Sequence, residues 1–211
     1  TANPYEVSPS STTTYYAQAS LNGCIQATRK AVKVTVNPLP SVEAGNPFSL
    51  CIDAANNTLT GYSPTVPMGL WNGPGVTSAG VFTASLAGEG NHKLIYTYTD
   101  TKGCVSKDSL IATVNALPEV DAGANFSICA NSNDTTFTAV KPTSGGTWTG
   151  SGVASDGVFK PSTLASGNYT LTYSFTDGNG CKATSTRVAT VNPLPTVDAG
   201  TDFSLCLNAS D

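Results

Sequence analysis

The cysteines carry the most reactive side chains in this chain, and they recur at regular intervals. Cys51 and Cys104 form one widely spaced pair, Cys129 and Cys181 form a second, and Cys24 and Cys206 lie outside both. Two chemistries suit thiols arranged this way. Zinc ligation would need a CxxC or clustered histidines, and the chain has no CxxC and His92 as its single histidine. Disulfide formation is the economical alternative: Cys51 with Cys104 and Cys129 with Cys181, each closing a loop of just over 50 residues. On the chain-entropy account such a loop is worth about 4 kcal/mol. Disulfides imply an oxidising, extracellular setting. In Phe48-Ser49-Leu50-Cys51, strand alternation puts Phe48 and Leu50 on one face and Cys51 on the other, whereas Cys104 follows a turn. The expected bridge is therefore peripheral and ties a strand to a hairpin end.

Other candidate groups are weaker. His92 corresponds to Tyr169 in the repeat described below, and a position that accepts tyrosine cannot be a catalytic base. There is no Ser/His/Asp set and no phosphate-cradling glycine loop, so no enzyme activity, catalytic residue or cofactor is expected. Glu43, Asp121, Asp198, Asp100 and Asp177 carry oxygen ligands that calcium would accept, but they are isolated in sequence and better suited to turns. No metal site is expected. Trp71 and Trp148 would stack on sugars if exposed, but a tryptophan between two cysteines of a sandwich reads as a core plug. Asn56, Asn125, Asn133, Asn168 and Asn208 begin N-x-Ser/Thr sequons.

The elements that position these groups repeat. Val36-Asn37-Pro38-Leu39-Pro40-Ser41-Val42-Glu43-Ala44-Gly45 returns at Val114–Gly123 and again at Val191–Gly200, offsets of 78 and 77 residues. That period suits a small domain and is too long for a solenoid turn. Residues 70–104 and 147–181 align without a gap. The organisation expected is residues 1–36 as the back of one unit, 37–114 and 115–191 as complete units, and 192–211 as the front of another. Tyr169, Leu171, Tyr173 and Phe175 alternate with threonine and serine, the period of a half-buried strand. Asp100-Thr101-Lys102-Gly103 and Asp177-Gly178-Asn179-Gly180 read as hairpin turns. No stretch keeps helical spacing. The fold class is all-β, tandem sandwiches in a linear array, with Pro-Leu-Pro joints that favour stiff, extended connections.

Composition narrows the partners. Charged residues make up 11% of the chain and the net charge is −4, so no basic surface exists for nucleic acid. No apolar run is long enough to insert this segment in a membrane.

Taken together, Val191–Gly200, Gly145-Gly146-Thr147-Trp148-Thr149-Gly150-Ser151-Gly152-Val153, Gly157-Val158-Phe159 and Tyr173–Cys181 resemble a known family. It is the Ig-like/PKD-like tandem repeats of Bacteroidota giant cell-surface adhesins exported by the type IX secretion system, among them gliding-motility adhesins. Asp108-Ser109-Leu110 and Asp134-Thr135-Thr136 resemble the short O-glycosylation signal of the same phylum. The resemblance implies an outer-surface location and a filament that contacts a polysaccharide or solid surface, with the secretion and gliding machinery as partners of the parent protein. A non-catalytic carbohydrate-binding or stalk module of a secreted polysaccharide-degrading enzyme is the alternative function.

Overall fold

The computed structural model describes residues 6–66 and 69–207, divided between two compact units, Thr1–Asn115 and Ala116–Asp211. Residues 6–36 hold four short strands: β1 (Thr13–Ala17), β2 (Ser20–Leu21), β3 (Cys24–Ile25) and β4 (Lys30–Val34). β1 pairs antiparallel with β4, and β2 with β3 through a tight turn at Asn22 and Gly23, both at positive φ. Valine and tyrosine alternate here as in a sandwich strand, yet Tyr16 is 63% exposed and Val32 55% exposed. This stretch has strands without a core.

A full sandwich follows. Its strands are β5 (Phe48–Cys51), β6 (Asn57–Thr58), β7 (Leu70–Asn72), β8 (Val81–Phe82), β9 (Gly90–Thr99) and β10 (Val105–Asn115). The main sheet runs β5-β10-β9-β7, and β6-β8 forms a small second sheet. The second unit repeats the plan with β11 (Phe126–Cys129), β12 (Thr135–Thr136), β13 (Thr147–Thr149), β14 (Val158–Phe159), β15 (Gly167–Thr176) and β16 (Lys182–Asn192). Its main sheet runs β11-β16-β15-β13, with β12-β14 beside it. Among the described residues the helical content is one short helix, α1 (Ala84–Ala87), and a 3-10 turn at Pro161–Thr163. Both occupy the same place in the repeat and are too short to leave a 3.6-residue signature in the sequence.

Period-2 alternation fills the cores. Leu94 and Tyr96 from β9 and Leu110, Ala112 and Val114 from β10 close on Trp71, Leu59 and Phe82. Leu171, Tyr173, Ala189 and Val191 close on Trp148, Phe137 and Phe159 in the same way. Each tryptophan lies directly across the ladder from a tyrosine, Trp71 from Tyr96 and Trp148 from Tyr173, with ring centroids 5.1 Å apart in both units. The tyrosine hydroxyls also hold a loop. Tyr173 Oη donates to Pro142 O at 3.1 Å and accepts from Gly146 N–H at 3.0 Å. Tyr96 Oη does the same with Pro64 O and Gly69 N–H. A side chain at Gly146 would overlap the Tyr173 ring, which explains the glycine.

Candidate functional site: the cysteines at the two ends of each unit

The register of the main sheet sets where the thiols sit. β5 runs parallel to β10, with Cys51 opposite Asn115, so Cys51 lies where the last strand ends and the chain leaves the sandwich. Ile52 N–H donates to Asn115 O at 2.9 Å and fixes that end. β11 runs parallel to β16 with Cys129 opposite Asn192, and Ala130 N–H donates to Asn192 O. The first cysteine of each unit is an exit-end residue.

The second cysteine lies at the other end of the same strand. Cys104 immediately precedes β10 and Cys181 immediately precedes β16, each closing the hairpin from the preceding strand. An aspartate shapes each hairpin. Asp177 Oδ1 accepts from Asn179 N–H at 2.9 Å and from Cys181 N–H at 2.8 Å. Asp100 Oδ1 accepts from Lys102 N–H and Cys104 N–H at 2.9 and 2.8 Å. Gly103 and Gly180 supply the left-handed residue before each cysteine, both at φ 83°. The segment entering each sandwich also runs along the last strand. Ala44 N–H donates to Asp108 Oδ2 at 2.8 Å in the hairpin half of β10, and Arg187 Nη1, from the middle of β16, donates to Ala122 O at 3.4 Å.

This geometry corrects the expected disulfides. Eleven residues of β10 separate Cys104 from the partner of Cys51, about 35 Å of extended strand. β16 separates Cys129 from Cys181 by the same length. Bridged cysteines have Cα atoms within about 7 Å. Neither Cys51–Cys104 nor Cys129–Cys181 can form within a folded unit, and Cys104 and Cys129 carry free thiols, as do Cys24 and Cys206. Cys51 and Cys181 are in disulfide form. The sequence rightly put the second cysteine after a turn. What it lacked was the parallel pairing that sends the first to the opposite end.

The remaining candidates resolve into structural roles. His92 lies on β9 with its Nε2 2.8 Å from Gly88 O, and Tyr169 Oη donates to Ala165 O, also four residues back and also at 2.8 Å. The two side chains hold the same turn. Trp71 and Trp148 are 3% and 4% exposed, so neither offers a stacking surface. Asp121 Oδ1 and Asp198 Oδ1 accept from the N–H of Gly123 and Gly200, Glu43 pairs with Ser63 in a β-bridge, and Asp100 and Asp177 shape hairpins. Among the described residues no three His, Cys, Asp or Glu side chains gather. Asn56, Asn125 and Asn168 accept from Thr83 Oγ1, Val188 N–H and Thr190 Oγ1, while Asn208 lies outside the described residues. Ser109 sits half-buried in mid-strand opposite Ile95.

A family model described as "Ig-like domain CHU_C associated" matches residues 1–38. No curated protein matches the chain. Among solved structures the chain is similar to Drosophila N-cadherin EC1-4, at 10% identity and TM-score 0.36 over 86% of this chain and 57% of that one. It is similar to the insect immune protein hemolin, at 15% identity and TM-score 0.33 over 85% and 56%. Sidekick-1 immunoglobulin domains 1-4 give 13% identity and TM-score 0.26 over 89% and 68%. The chain thus spans little more than half the length of the cadherin and hemolin fragments. No helix among the described residues is long and apolar enough to cross a membrane.

Proposed function

We propose that this chain is a run of structural, adhesive modules from a large cell-surface protein, arranged as stretches 1–36, 37–114, 115–191 and 192–211 of successive repeats. The parent protein, in this reading, is a filament of the type IX-exported adhesin class exemplified by the gliding-motility adhesin SprB, and it meets a polysaccharide or solid surface. One observation carries the proposal: two sandwiches repeat strand for strand and share the Trp–Tyr pair and the Asp-shaped cysteine hairpin. A site for one ligand gains nothing from such copying, whereas reach and avidity do. Exposed Tyr16, beside an apolar hollow of about 490 Å³ lined by Val7, Tyr15, Val32 and Val34, is the feature that favours the carbohydrate-binding alternative.

The deciding experiment is the mass of the intact parent protein released from the cell surface. Several hundred kilodaltons is expected for a filament. A species near one hundred kilodaltons carrying a separate catalytic domain would replace the filament with an enzyme stalk.

A further inference from the structure

We infer that the first sandwich carries a receptor hollow for an arginine side chain of a partner protein, between β5, β6 and Leu110 of β10. The two sandwiches, each taken by itself, make the case by their difference. In the second, the Arg187 guanidinium lies 4.7 Å from the ring centre of Phe126 and 4.8 Å from that of Phe137, and Nη1 donates to Ala122 O. In the first, Phe48 stands for Phe126, Leu59 for Phe137, Ala44 for Ala122 and Leu110 for Arg187. A leucine ends at Cδ, where the guanidinium of an arginine begins. The first sandwich keeps a hollow of about 250 Å³ there, lined by Asn46, Phe48, Leu59, Thr60, Gly61 and Leu110. That is smaller than a drug-sized site and in keeping with one inserted side chain.

The walls suit a flat cation. Phe48 is half-buried and supplies the aromatic surface that Phe126 gives Arg187. The glycine beside each site records a switch in polarity. A Cβ at Gly123 would lie 3.5 Å from Arg187 Nη1, a donor, whereas a Cβ at Gly45 would lie 2.8 Å from Thr60 O, an acceptor. Asp108, two residues before Leu110 on the same face of β10, places a carboxylate where the second sandwich has Ser185. Residues 37–115 contain five carboxylates, three lysines and no arginine. The first sandwich thus offers acceptors and negative charge at this hollow and no guanidinium of its own.

Arginine is the occupant rather than lysine because a guanidinium is planar, stacks on a ring and directs several donors in its own plane, whereas an ammonium is a compact, strongly hydrated charge. The inference concerns the surface of one sandwich and holds whatever the length of the parent protein, so it stands or fails separately from the filament reading.

The test titrates the whole 211-residue chain with the peptide acetyl-Gly-Arg-Gly-amide, beside the same peptide with citrulline or lysine in place of arginine, and follows backbone amide chemical shifts. Shifts are expected in residues 44–48 and 57–61, with arginine binding about fivefold or more tighter than neutral, isosteric citrulline. Leu110→Arg, which copies the second sandwich, fills the hollow from within and should abolish these shifts while Trp71 keeps its native fluorescence. Equal affinity for arginine and citrulline, shifts elsewhere, or no saturable shift in the native chain would overturn the inference, whether or not that variant folds. A dimer that forms as concentration rises and disappears with Arg29→Ala would overturn the assignment to a partner protein and put the exposed Arg29 of a second copy in the hollow.

Discussion

At the scale of single residues, small polar groups in this chain do the work of shaping turns. Asp177 accepts two backbone N–H groups, one of them that of Cys181, and the carboxylate makes both bonds charge-assisted. Asp177→Ala is expected to destabilise the second unit by about 2 kcal/mol, the usual cost of losing hydrogen bonds to a charged group. Urea unfolding followed by Trp148 fluorescence, in a Trp71→Phe background, measures it; an unchanged midpoint would mean the turn holds itself. Asp108 gives a pH signature to the first unit alone, because its counterpart in the second is Ser185. The backbone N–H of Ala44, and then that of Ser109, hold the Asp108 carboxyl below its ordinary value against a smaller opposing effect of burial. A folded value below the unfolded one makes this contribution full above about pH 4, and it drains away as pH falls further. The Trp71-reported midpoint, with Trp148→Phe, should therefore drop between pH 4 and 2, and Asp108→Asn should flatten that drop. This role was hidden in sequence, where Asp108-Ser109-Leu110 resembled a modification signal; the carboxylate's partner lies 64 residues away and no local pattern marks it.

At the scale of elements, alternation predicted which face each strand buries but not which end of the sheet it occupies. β9, β10, β15 and β16 were legible because their period-2 runs are ten or eleven residues long and bounded by Asp-x-x-Gly turns. β5 and β11 were legible as strands, and Phe48 and Leu50 do pack on the core. Their parallel pairing was not, since it joins segments about sixty residues apart through backbone groups that every residue carries. That gap alone misplaced the cysteines. A second contrast lies between the units. Leu110 of β10 is a buried aliphatic, whereas Arg187 takes its place on β16 and stacks over Phe126 and Phe137 at 4.7 and 4.8 Å. Position 59 changes in step, leucine in the first unit and Phe137 in the second. The guanidinium thus acts as a flat packing surface with its charge directed to Ala122 O. Arg187→Leu, which copies the first unit, is expected to cost under about 1.5 kcal/mol, and Arg187→Ala about 2–3 kcal/mol. Equal losses from both variants, in the same Trp148-reported unfolding, would show that the stacking contributes nothing beyond the charge.

At the scale of the whole molecule, the proposed filament would make each sandwich a link under tension. Within each unit the first and last strands of the main sheet run parallel, β5 with β10 and β11 with β16. Force that enters at the start of the first strand and leaves at the end of the last therefore pulls the two strands in opposite directions along their length. The paired residues, 48–51 with 112–115 and 126–129 with 189–192, are loaded together rather than peeled apart one hydrogen bond at a time. Single-molecule stretching of the 211-residue chain is expected to show one unfolding event for each sandwich. Each event should release a contour length of up to about 28 nm, the length of one repeat at about 3.6 Å per extended residue. Smooth extension with no resolvable event would mean that the parallel ladder bears no load, and that a sandwich of this size yields as its core loosens.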